Sequence, residues 1–133
     1  MIIGLGTDIV SIERINRSLQ KFGTHFTAKI LTSAEQQELT AISADARKSA
    51  AKVAKLFAAK EAAAKALGTG FNNGISWQEI SVTHDDRGKP LLCLSGQALA
   101  RANALAGGRN YACHLSISDD FPFAQAVVII EIL

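Results

Sequence analysis

Two carboxylates and two lysines are the residues of this chain best suited to chemistry. Asp8 closes an apolar run, Ile2-Ile3-Gly4-Leu5-Gly6-Thr7, while Glu61 lies within the alanine-rich stretch Phe57-Ala58-Ala59-Lys60-Glu61-Ala62-Ala63-Ala64-Lys65-Ala66-Leu67-Gly68-Thr69-Gly70. Carboxylates on rigid supports suit magnesium, which takes one or two of them and completes its octahedron with water and phosphate oxygens. A lysine one turn from Glu61 adds a point charge for a phosphate. At about 100° per residue, Val53, Leu56, Phe57 and Leu67 gather on one side of a helix; Lys60 falls near the middle of that arc, with Glu61 and Lys65 at its border. An ammonium among apolar groups loses hydration that a neighbour must replace. Lys60 is therefore expected to face a polar cavity, a partner chain or an anionic ligand. Spacing alone leaves a plainer account open, with Asp8 as the cap of a helix beginning near Ser11 and Glu61 as the i,i+4 ion-pair partner of Lys65.

Other polar groups are less specific. In His114-Leu115-Ser116-Ile117-Ser118 the alternation of a strand puts His114, Ser116 and Ser118 on one face. No nucleophile elbow accompanies them, so hydrogen bonding to a ligand phosphate or hydroxyl fits better than nucleophilic catalysis. Arg14, Arg17 and Lys21, at i, i+3 and i+7, form a basic stripe on which an acidic partner surface could dock, or an ordinary exposed face. Lys48, Lys52 and Lys55 continue the positive charge along the alanine-rich helix. The triplet Gly68-Thr69-Gly70 matches neither a Walker loop nor a Rossmann fingerprint and reads as a helix stop.

The elements that must position these groups follow from periodicity. Ile2 to Thr7 reads as a buried strand ending at Asp8; helices are predicted from Ser11 to Phe22, Phe26 to Leu31, Ala34 to Ile42 and, as the longest, about Asp45 to Leu67. Thr32 with Glu35, or Ser33 with Gln36, has the spacing of a capping box. Strands at Ile75 to Thr83 and Pro90 to Leu94 flank a tight turn at Asp86-Arg87-Gly88, a helix spans Gly96 to Ala106, and strands run from Tyr111 to Ser118 and Ala124 to Leu133. Helices with antiparallel hairpins indicate an α+β fold, an antiparallel sheet packed with a long helix. One domain over residues 1–133 is expected from the length.

Bulk properties exclude several classes. Fourteen Lys and Arg against twelve Asp and Glu give a net charge of +2, too slight to indicate nucleic acid. No run approaches the roughly twenty apolar residues of a membrane span, and no basic n-region precedes an apolar segment. Cys93 and Cys113 lie in apolar, strand-like runs and read as small buried hydrophobes in a reduced, cytoplasmic setting.

Taken together, these segments resemble the holo-acyl-carrier-protein synthases, the small single-domain class of 4'-phosphopantetheinyl transferases. Gly6-Thr7-Asp8-Ile9-Val10-Ser11-Ile12-Glu13-Arg14 resembles the family's Gly-x-Asp motif, and Phe57 to Gly70 its Phe-x-x-Lys-Glu-x-x-x-Lys-Ala motif with trailing glycines. Ile30-Leu31-Thr32, Gly88-Lys89-Pro90 and His114 to Ser118 agree in order and spacing. The resemblance implies transfer of phosphopantetheine from coenzyme A to a serine of apo acyl carrier protein. Asp8 and Glu61 would hold magnesium against the pyrophosphate, Lys65 would neutralise charge as the anhydride breaks, and Lys60 would join Lys65 on coenzyme A. Glu61, directly or through a metal-bound water, would also accept the serine proton, its nearness to the cation keeping it ionised and a weak base. The resemblance further implies a homotrimer with active sites between subunits. The Asp86 to Pro90 turn, with Arg87 and Pro90, and His114 would then reach coenzyme A from the neighbouring subunit, and Arg14, Arg17 and Lys21 would receive the carrier's acidic helix. One departure stands out: many relatives carry arginine before the motif phenylalanine, where this chain has Leu56. Arg87 or Lys55 would replace it. Two other readings use the same residues, a pyrophosphatase with water as acceptor and a non-catalytic module that binds an acidic protein.

Overall fold

The computed structural model describes residues 1–133. Strand β1 (Ile2–Ser11) leads to helices α1 (Ile12–Phe22), α2 (Thr24–Ile30), α3 (Ser33–Ala41) and α4 (Ala46–Ala66). A 3-10 turn at Trp77–Glu79 precedes the hairpin β2 (Ile80–His84) and β3 (Pro90–Leu94); α5 (Gly96–Ala106), β4 (Tyr111–Asp120) and β5 (Phe123–Ile132) complete the α+β fold. The antiparallel sheet has the order β1-β5-β4, with β2 and β3 pairing separately.

The caps explain most boundaries. Ser11 accepts a hydrogen bond from Arg14 N at 3.2 Å and so starts α1, which removes the capping role from Asp8. Of the two capping boxes open in the sequence, Thr32 with Glu35 forms. Asp45 accepts from the N–H groups of Arg47 and Lys48 and starts α4, while Arg101 Nε donates to Leu67 O at 2.9 Å at its far end.

Three expectations are corrected. Cys93 is exposed and Cys113 half-buried, so neither is a buried core residue. β1 does not end at Asp8 but continues to Ser11, because β5 pairs with it along its whole length, from Ile2 opposite Glu131 to Ser11 opposite Phe123. Ile75 to Glu79 is not strand: Ser76 and Glu79 close a second capping box, which winds this segment into a 3-10 turn before β2 begins.

Helix α4 lies against β1 and β5. Its small residues Ala58, Ala59, Ala62, Ala63, Ala64 and Ala66 are buried, and they let the sheet approach the helix backbone. Gly4, Gly6, Asp8 and Val10 form the β1 face turned to that helix, while Leu5, Thr7 and Ile9 point away.

Candidate active site

Strand β1 is held against α4 by two glycines. A Cβ on Gly6 would lie 2.7 Å from Ala66 N and closer still to Ala62 O, and one on Gly4 would strike Ala66 O. As the strand advances from Gly4 to Gly6, its neighbour on the helix steps back from Ala66 to Ala62. Two residues further, on the same face, Asp8 therefore arrives beside the turn that carries Glu61.

Lys65 joins the pair. Its Nζ donates to Thr7 O at 3.0 Å and to Asp8 Oδ1 at 3.2 Å, so its ion pair runs across to the strand and not along the helix to Glu61. Burial holds the Glu61 carboxyl above the usual carboxylate range; the charge of Asp8 pushes it further up and Lys65 pulls it partly back. Two carboxylates are thus gathered with less positive charge than they can accept. This donor set fits a divalent cation: both ligands are carboxylate oxygens, and an ammonium already rests on one of them. No cluster of three His, Cys, Asp or Glu side chains exists here, so water and phosphate oxygens would have to supply the remaining ligands.

Lys60 is corrected. Its side chain is 0% exposed, and its Nζ is surrounded by Glu35 Oε1 at 2.6 Å, Ile30 O at 2.7 Å and Trp77 O at 3.2 Å. Neither coenzyme A nor a second subunit can reach it. Burial lowers the Lys60 pKa, against the hydrogen bond and charge of Glu35. Glu35 also accepts from Thr32 N through Oε1 and from Val82 N through Oε2, each at 2.9 Å. The pair ties α4 to α2, α3 and β2. The sequence names Glu35 as a cap, and only the mid-helix lysine signals that its carboxylate has further work.

The β2–β3 turn is shaped by Asp85, whose Oδ1 accepts from Arg87 N and Lys89 N at 2.9 Å each, and by Gly88 at φ +84°. Sequence reasoning missed Asp85. A cavity of about 200 Å³ lies between this turn and α4, lined by Lys55, Leu56, His84, Gly88 and Pro90 among others. Ile117 also lines it and continues the inner-face row Asp8, Ala126, Ile117 across the sheet. Two strand spacings, about 10 Å, separate Asp8 from that edge. Lys55, which sits 3.9 Å from Asp119, lines the cavity, whereas Arg87 is exposed and does not.

His114 lies on the opposite face of the sheet, exposed, with Nε2 2.8 Å from Glu131 Oε1. It shares a second cleft of about 220 Å³ with Lys89, Pro90 and Ser116, so Pro90 borders both cavities. Within one chain His114 does not meet Asp8 or Glu61. Arg14, Arg17 and Lys21 are all exposed on α1 and carry no ion pair.

Residues 4–116 match the profile of the 4'-phosphopantetheinyl transferase superfamily. The chain is 49% identical to the holo-[acyl-carrier-protein] synthase of Mesorhizobium japonicum over 100% of its own length and 95% of that protein's. Its fold matches the crystal structure of holo-[acyl-carrier-protein] synthase from Neisseria meningitidis with a TM-score of 0.81 and 40% identity, covering 98% and 99% of the two chains. The synthase of Bacillus anthracis, in complex with CoA (3',5'-ADP), matches with a TM-score of 0.81 and 37% identity over 100% of this chain and 99% of that one.

Proposed function

The chain belongs to the holo-acyl-carrier-protein synthases of the 4'-phosphopantetheinyl transferase superfamily, and from that premise we propose how its own residues transfer the 4'-phosphopantetheine of coenzyme A to a serine of apo acyl carrier protein. The observation that carries the proposal is the meeting of Asp8, Glu61 and Lys65 where β1 crosses α4. In the reaction the serine oxygen bonds to the phosphorus that bears pantetheine, the phosphoanhydride bond breaks, and adenosine 3',5'-bisphosphate leaves. Alignment and charge stabilisation dominate such transfers, and no covalent bond to the protein is needed.

Asp8 and Glu61 are the residues that would hold magnesium, which when bound neutralises the pyrophosphate and polarises its P–O bonds. Lys65, half exposed and tethered at its base in the same turn, offsets the charge that builds on the leaving phosphate. Glu61 is our candidate to accept the serine proton; burial and Asp8 make it a better base without the cation than beside it. The cavity beside Pro90 and Gly88 suits the adenosine end of coenzyme A, and Lys55 replaces the missing arginine as its phosphate contact in preference to Arg87.

The chain acts as one domain over residues 1–133 and as a homotrimer with sites between subunits, which would bring His114 to the coenzyme A of a neighbour. An outer sheet face with Leu5 and Ile9 about two-thirds exposed supports self-association. Arg14, Arg17 and Lys21 form the docking surface for the acidic helix of the carrier. The setting is the cytoplasm and the pathway fatty acid synthesis or a related one. No helix is long and apolar enough to cross a membrane. Incubation with apo acyl carrier protein, coenzyme A and magnesium should add the prosthetic group to the carrier, detected by mass spectrometry. Turnover of coenzyme A without carrier would instead identify a pyrophosphatase, and full function of Glu61→Gln a non-catalytic module.

A further inference from the structure

Lys65 and Lys60 are carried by the same helix, yet their ammonium groups differ in freedom. That of Lys60 is enclosed by three fixed oxygens, whereas the Lys65 side chain is 52% exposed and touches the protein at two oxygens only, Thr7 O and Asp8 Oδ1. Asp8 itself is 16% exposed, so its carboxylate has little room for a second cation. A divalent ion bound through Asp8 Oδ1 would meet the ammonium that already donates to that oxygen. Two positive charges on one carboxylate that is only 16% exposed repel each other, and an anion between them relieves that cost.

We propose that Lys65 is a placeholder cation: its ammonium occupies Asp8 in the resting enzyme, competes there with the incoming metal, and is handed to the pyrophosphate of coenzyme A when metal and donor enter together. This rests on the reading of Asp8 and Glu61 as metal ligands. A pyrophosphate has what both cations need, oxygens to complete the metal's shell and oxygens to receive the displaced ammonium. Metal and coenzyme A then bind cooperatively, and by reciprocity each strengthens the other by the same factor. Thr7 O, a neutral acceptor, holds Lys65 loosely enough to let it go.

Calorimetric titration of magnesium into the whole protein, with and without coenzyme A and with no carrier protein present, tests this. Wild type should bind the ion weakly alone and about tenfold more tightly with coenzyme A. Lys65→Met should bind it about tenfold more tightly than wild type in the absence of coenzyme A, and should gain less from adding it. Lys65→Gln, which keeps a donor for Thr7 O without the charge, should behave like Lys65→Met and guards against misfolding, while Lys48→Met, an exposed lysine elsewhere on α4, should leave the affinity unchanged. In the wild type, the Nζ resonance of Lys65 should move on adding magnesium and coenzyme A together. If magnesium binds the wild type, is lost in Asp8→Asn, and binds both Lys65 variants no more tightly, the placeholder is refuted while the metal site stands. If no magnesium binds the wild type even with coenzyme A, the placeholder and the metal reading both fall.

Discussion

Lys60 and Lys65 lie five positions apart on one helix, and burial divides their tasks. Replacing Lys60 with methionine would leave the Glu35 carboxylate enclosed with no counter-charge, a loss of about 3–5 kcal/mol. Equilibrium denaturation of Lys60→Met should show that fall, whereas Lys65→Met should lose far less because its ion pair is open to water. The position of Lys60 on the apolar arc was legible from periodicity, but its partner was not. Glu35 was readable as a cap, and nothing in the spacing tells that one carboxylate serves Thr32, Val82 and Lys60 at once. At Glu61 the prediction concerns pH. Its folded pKa is raised, so the native state keeps a proton that the unfolded chain has already released. Without metal, the stability due to this group is complete below the ordinary carboxylate pKa and disappears as pH climbs through the raised value. Thermal melts in chelator across that window should decline for wild type and be flatter for Glu61→Gln; equal slopes would remove Glu61 as the cause.

At the scale of elements, the contact of β1 with α4 decides whether a site exists. Strand and helix can approach closely only because Gly4 and Gly6 present no Cβ to the carbonyls of Ala66 and Ala62. Gly6→Ala meets backbone on the helix and not the yielding end of a side chain, so the strand itself must move. Overpacking of this kind costs about 2–3 kcal/mol, and Tm should drop by roughly 10 °C. The more diagnostic result is that the variant, at temperatures where it remains folded, should also bind magnesium more weakly, since Asp8 is displaced with the strand. The motif Gly-x-Asp was visible in the sequence as a pattern; why its glycine is needed became clear only with the helix in place. Similarly, Asp8 appeared to end a strand because the apolar alternation fades there, whereas pairing with β5 carries the strand on to Ser11. Pairing depends on a partner more than 100 residues away, Ala126 for Asp8 and Phe123 for Ser11, and local patterning cannot report it.

For the molecule as a whole, the unexplained quantity is the apolar surface left on the far side of the sheet. Leu5 is 65% exposed, Ile9 64% and Phe123 50%, and by register Leu5 continues through Ile129 to His114, and Thr7 through Val127 to Ser116. In the proposed trimer, His114 at the polar end of the first row would meet a neighbour's coenzyme A, while Leu5 at its apolar end would be covered by association. A charge at the apolar end should therefore separate subunits without disturbing the core, because Leu5 points away from α4. Leu5→Glu combined with Ile9→Glu is expected to convert a trimer, seen by analytical ultracentrifugation, into folded monomers with an unchanged helical circular dichroism signal. Those monomers should keep Asp8, Glu61 and Lys65 in place, and so retain magnesium binding, but lose transfer to the carrier at concentrations where wild type is fully active. Wild type that sediments as a monomer, or separated subunits that still modify the carrier at the full rate, would show that each chain works alone and that His114 has no part in binding the donor.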